Sequence, residues 1–108
     1  MFGEEKTKWF LESEKRTVPV RTLSSIIRAN QITSVDFLKI DVEGEELAVL
    51  LGIEAEHYHV IKQIAIEVHN EQILRKVLQR LDEMRFREVS TAGISSFVGT
   101  TNVFAVPR

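Results

Sequence analysis

The chain has 108 residues, 44% of them hydrophobic and 28% charged, a balance that suits one soluble globular domain and is too apolar for disorder. Its formal charge of −2, with basic residues dispersed among acids, leaves no electrostatic footprint for a phosphate backbone, so nucleic acid is not an expected partner. The absence of cysteine excludes a disulfide scaffold and thiolate metal sites and suits a reducing compartment.

Met1 to Arg16 carries the weakest structural signal. Its opening, MFGEEKTKWF, puts Glu4 and Glu5 where a signal peptide needs a continuous apolar core. No segment nears the roughly 20 apolar residues of a membrane span, so a cytoplasmic protein with no membrane partner is expected. Trp9, Phe10 and Leu11 read best as an arm or helix packed on the core, with a partner- or acceptor-facing segment as the alternative. Val18-Pro19-Val20-Arg21 is extended by composition, since the residue before proline is pushed out of the helical region. Thr22 can cap a short helix with Leu23, Ile26 and Ile27 as its apolar face and Asn30 at its stop. Phe37 to Asp41 reads as a strand apolar enough for burial on both faces, as in a parallel sheet. Gly44 turns the chain into a helix whose buried stripe is Leu47, Leu50 and Leu51 and whose end is Gly52. His57 and His59 would share a face on a strand and could bind metal, but without a third ligand nearby a helix-to-strand loop is the preferred reading. Lys62 to Val68 is a second strand, and Asn70 caps the longest helix, with Ile73, Leu74, Val77, Leu78, Leu81 and Met84 at helical spacing. Phe86 to Ser90 and Asn102 to Val106 are two further strands, joined by a Gly/Ser/Thr-rich loop from Thr91 to Thr101 that is either a lid or simply mobile.

This alternation is an α/β pattern. It places Asp41 to Glu43 and Glu67 to His69 at the carboxyl ends of two parallel neighbours, where open α/β sheets bind ligands. Strands lie about 5 Å apart, so Asp41, Glu43, Glu67 and His69 can share one site. A carboxylate beside an imidazole can act as general base on a hydroxyl, hold a divalent metal or hydrogen-bond a polar ligand. Asp41 and Glu67 favour the functional reading, because a carboxylate closing an apolar strand has few structural reasons to be there. His69 is evenly balanced between ligand and loop hydrogen-bonder. Glu45 and Glu46 are expected to solvate and cap the following helix, whose amino-terminal dipole favours negative charge.

The string from Asp36 to Glu46, DFLKIDVEGEE, followed by Leu47 to Gly52 and then Ile64-Ala65-Ile66-Glu67-Val68-His69, resembles the carboxyl-terminal half of the FkbM family. The lead-in Val18 to Ile27 is also similar. The resemblance covers residues 18–108, leaving 1–17 as an amino-terminal arm. It implies an S-adenosylmethionine-dependent O-methyltransferase with a class I, Rossmann-like fold, acting on hydroxyls of sugars, lipids or polyketides. What is present corresponds to the fourth strand onward, including an antiparallel last strand. By resemblance, Asp41 and Glu43 would face the donor's reactive end or the acceptor, and Glu67 and His69 the acceptor. Catalysis would be proximity of the sulfonium methyl to an acceptor oxygen, with a base taking its proton.

The chain departs from that pattern in its glycines, which stand at positions 3, 44, 52, 93 and 99 and form no glycine-rich donor-binding turn. Three readings follow. The chain is the acceptor-side half of a methyltransferase, inactive alone and completed by a missing amino-terminal half; or a non-catalytic, dimerising remnant or interaction module; or a divalent-metal enzyme using Asp41, Glu43, Glu67 and His69. The resemblance assigns no metal. The bare edge of the Phe37 to Asp41 strand predicts a homodimer, with Lys39 as a possible edge protector.

Overall fold

The computed structural model describes residues 19–90 and 100–108. The expectations for Met1 to Arg16 and for the Thr91 to Thr101 loop therefore fall almost wholly outside the described residues. The elements run in the order α1 (Leu23–Ala29), β1 (Leu38–Ile40), α2 (Glu46–Leu51), a 3-10 helix (Ala55–Val60), β2 (Ile64–Val68), α3 (Glu71–Glu83), β3 (Phe86–Ser90) and β4 (Thr101–Pro107). Four strands form one sheet in the order β1-β2-β4-β3. β1 and β2 are parallel, whereas β4 inserts antiparallel between β2 and β3. This is the mixed α/β, partial Rossmann-like sheet expected from the sequence, with its antiparallel last strand.

The caps explain where the helices begin. Thr22 Oγ1 accepts from the Ser25 amide at 3.0 Å, and Asn70 Oδ1 accepts from the amides of Gln72 and Ile73 at 2.7 and 3.0 Å. Each side chain satisfies amides that the first helical turn would otherwise orphan, worth about 1 kcal/mol per cap. Asn30 is the C-cap of α1 and Gly52 that of α2.

The core lies between one face of the sheet and helices α2 and α3. Ile40, Ile64, Ile66, Val68, Val103 and Ala105 point into it and meet Leu50, Val77, Leu81 and Met84 from the helical layer. Each such aliphatic side chain contributes roughly 1.5–3 kcal/mol by leaving water. The periodicity of two sends the alternate residues to the opposite face, where Lys39 pairs in register with Ala65, and Ala65 with Phe104. There Phe37 is 52% and Phe104 43% exposed, so β1 is not buried on both faces as expected. The reason is that the helical layer covers one side alone: among the described residues no helix packs on the other. Lys39, Glu67, Asn102, Phe37 and Phe104 line a groove of about 320 Å³ on that open side.

Two further apolar stripes are rotated from their expected settings. In α1 the buried pair is Ser24 and Ile27, leaving Ile26 exposed. In α2 Leu51 faces solvent, and the buried line is Glu46, Leu50 and, beyond the helix, Ile53. Arg28 ties α1 to the 3-10 helix through Glu54 at 2.5 Å and Glu56 at 3.0 Å. The hydrogen bond from Arg28, reinforced by its charge, holds Glu56 below the usual carboxylate range. This contribution is present at neutral pH and is lost as pH falls through that lowered value.

β1 is an edge strand among the described residues, hydrogen-bonded to β2 on one side. An unpaired strand edge is a template for pairing with a further strand. Self-association of the chain at micromolar concentration is therefore expected in sedimentation velocity, and a monomer at every concentration tested would contradict it.

Candidate functional site

The site is built at the turn that leaves β1. Glu45 N donates to Val42 O at 2.8 Å, closing a four-residue turn in which Gly44 has φ +91°. A side chain is strained in that left-handed region, which is why glycine stands there. The Gly44 amide donates to Glu46 Oε2 at 3.0 Å, folding this carboxylate back over the turn. Glu46 is therefore not a solvated helix-start acid, as expected, but wholly buried. It does satisfy a turn amide, while its neighbour Glu45 remains exposed as the helix N-cap without a side-chain bond. A signal for this was available: Glu46, Leu50 and Ile53 stand at i, i+4 and i+7, so the acid occupies the apolar stripe itself.

The register of the parallel pair brings the expected residues together. Leu38, Lys39 and Ile40 lie beside Ile64, Ala65 and Ile66, so Asp41 emerges next to Glu67 at the carboxyl ends of both strands. Asp41, Glu67 and His69 each place one donor atom so that all three lie within 4.8 Å of one another. Glu43 is exposed on the turn and is not part of this group. The His69 ring sits between two acids: Nδ1 is 3.6 Å from Glu46 Oε2, and Nε2 is 3.8 Å from Glu67 Oε2. Both separations exceed hydrogen-bond length. Among the described residues, His69 Nδ1 and Glu46 Oε1 are buried without a hydrogen-bond partner. Buried polar atoms in that condition are uncommon, and Arg80 Nε shares it elsewhere. Chemically, the corner offers an imidazole standing between two carboxylates, of which Glu67 also lines the groove on the uncovered side of the sheet.

A second polar cluster lies away from it. Ser24 Oγ pairs with His57 Nδ1 at 2.7 Å and accepts from the Glu54 amide at 2.7 Å. His57 Nε2 is 3.5 Å from Glu56. This serine, imidazole and carboxylate are not a nucleophilic triad, because Ser24 is fully buried and its hydroxyl is already committed to protein partners. They clamp α1 to the 3-10 helix. His57 is thereby separated in role from His59, which is exposed, so the two histidines do not form a metal pair.

A parallel strand pair followed by an antiparallel one is the pattern of a partial Rossmann-like sheet. M1.HpyAVI, solved in complex with SAM, shares the fold with a TM-score of 0.53 at 16% identity, over 78% of this chain and 49% of that one. The chain belongs to the methyltransferase FkbM domain family, which it matches over residues 3–88. It is 30% identical to methyltransferase sdnD of Sordaria araneosa, over 64% of this chain and 30% of that protein. It is 39% identical to the 31-O-demethyl-FK506 methyltransferase FkbM of Streptomyces tacrolimicus, over 53% of this chain and 22% of that protein. The chain thus spans less than a third of the length of these two relatives. No helix among the described residues is long and apolar enough to cross a membrane.

Proposed function

We propose that this chain supplies the acceptor side of an S-adenosylmethionine-dependent O-methyltransferase acting on a hydroxyl of a sugar, lipid or polyketide. The observation that carries the reading is the convergence of Asp41, Glu67 and His69 at the carboxyl ends of adjacent parallel strands in an FkbM-family chain. The relatives' names supply methyl transfer, and the name of the Streptomyces tacrolimicus relative supplies an oxygen acceptor.

The described residues do not make a complete donor site. A donor-binding turn needs clustered glycines, and of the two described here Gly44 serves the β1 turn and Gly52 ends α2, with the Thr22 side chain 3.1 Å from where its Cβ would be. No step is therefore derived through the donor. What this chain's own residues can do is orient an acceptor and take its proton. A hydroxyl lying at the carboxyl ends of β1 and β2 would hydrogen-bond Asp41 or Glu67, and the imidazole of His69, beside Glu46, would accept its proton. Glycine-rich donor-binding elements would come from other polypeptide, whether in a longer product or a second subunit, in the cytoplasm.

The test is calorimetric titration of the 108-residue chain with S-adenosylmethionine. We expect no saturable heat at micromolar ligand. Saturable binding would overturn the division of labour, showing that copies of the chain build a donor pocket by themselves.

A further inference from the structure

Three partly exposed donors and one buried acid are combined in the corner at the end of β1. Ligands in neighbouring positions about a divalent ion, each about 2.1 Å from the metal, stand roughly 3 Å apart. The donor atoms of Asp41, Glu67 and His69 lie within 4.8 Å of one another. Bringing them onto one ion needs shifts of about an ångström, which partly exposed carboxylates make by small rotations.

An independent observation comes from Glu46. Its side chain is 0% exposed, its Oε1 has no hydrogen-bond partner among the described residues, and its Oε2, which accepts from the Gly44 amide, lies 3.6 Å from His69 Nδ1. A carboxylate stripped of water is costly unless positive charge or donors stand near it. Metal-binding histidines characteristically direct one ring N–H at a carboxylate, which fixes the ring and leaves the other nitrogen for the ion. Here the ring nitrogen away from Glu46 is Nε2, on the side of Glu67.

We propose that Asp41, Glu67 and His69 Nε2 bind one divalent cation of the manganese or magnesium class, and that Glu46 is a positioning residue that holds the His69 ring through Nδ1. Two carboxylates with one imidazole and no thiolate select a hard to borderline ion, and the exposed side of the corner leaves coordination positions for water or an acceptor oxygen. With the ion bound, His69 Nε2 is a ligand and no longer the base; the ion would then bind the acceptor hydroxyl and ease loss of its proton to water. That role rests on the methyl-transfer reading, whereas cation binding does not.

The experiment is titration of the 108-residue chain with Mn²⁺, following loss of the free-ion signal by electron paramagnetic resonance, with Mg²⁺ as competitor. One saturable site is expected, displaced by Mg²⁺ and broadening the ring resonances of His69 in NMR spectra. Asp41→Asn and His69→Ala should each weaken it at least about tenfold, and Glu46→Gln by about 10- to 100-fold, with circular dichroism unchanged. A purely structural role for Glu46 would instead lower Tm and leave the affinity of the folded protein intact. Should Glu46→Gln fail to fold, the two ligand variants, at partly exposed positions, still decide. Absence of saturable binding up to millimolar Mn²⁺ would overturn the site. Binding that survives the double variant Asp41→Asn/His69→Ala would overturn it too, by placing the ion on other carboxylates. Neither result touches methyl transfer, which is read separately with a donor-binding half present.

Discussion

His69→Ala is expected to lower methyl transfer to a hydroxylated acceptor by roughly 10²- to 10⁴-fold, the range a positioned general base supplies. The assay combines the chain with the donor-binding half of an FkbM-family relative and follows a labelled methyl group. His69 lies between Glu46 at 3.6 Å and Glu67 at 3.8 Å, at the carboxyl end of β2. Its ring is not part of the apolar core, so its removal leaves the packing of Ile66 and Val68 untouched. Loss should therefore fall on kcat and kcat/KM together, as when an interaction made only in the transition state is removed. Asp41→Asn keeps the shape and removes the charge, and should produce a loss of similar direction with unchanged Tm. Glu43→Gln serves as the comparison, since Glu43 is exposed outside the cluster; a loss as large there, or none in His69→Ala, would contradict the assignment.

Ser24→Ala should have the largest effect on stability of any polar substitution in the described chain. The hydroxyl serves two partners, the Glu54 amide at 2.7 Å and His57 Nδ1 at 2.7 Å, and both it and His57 are buried. Alanine leaves a main-chain donor and a ring nitrogen without partners, each costing about 1–3 kcal/mol when water cannot reach it. A total on the order of 2–4 kcal/mol is a large share of the 5–15 kcal/mol that typically holds a domain together. In a domain of this size it would lower Tm by roughly 10–20 °C. The measurement is thermal unfolding by circular dichroism, with His57→Phe and the double variant completing a cycle. Non-additivity is expected because the two residues share one interaction. A drop of less than about 2 °C in Ser24→Ala would show that the clamp contributes little.

Much of the architecture could be read from local chemistry. Thr22 and Asn70 announced their helices because a short polar side chain before an apolar run has one common use, and both do cap. Phe86 to Ser90 matched its strand, and Asn102 to Val106 lies within β4. Asp41, Glu67 and His69 were legible as a group because the alternation of strands and helices implies a parallel pair, and a parallel pair aligns its carboxyl ends. Glu43 was included because it follows the end of the first strand and by the family resemblance. The turn with Gly44 at positive φ carries it out to solvent.

The misjudged residues were those whose role depends on what covers them. Glu46 resembled any acid at a helix start until the packing of α2 showed that its stripe turns inward. Ser24 and His57 are 33 residues apart and carry no shared motif. Phe37 opens a strand that looked buried on both faces, but the layer needed to cover it is not among the described elements.

The sequence by itself determined the order of elements, the family and the carboxylate-rich end of β1, because caps, period-two and helical spacings and a long motif are all local properties of the chain. Only the tertiary structure decided which acid is buried, which imidazole nitrogen it faces and which face of the sheet stays open. Those are properties of packing: a side chain's protonation partners and exposure are set by neighbours brought from elsewhere in the chain, at distances that no spacing in the sequence encodes.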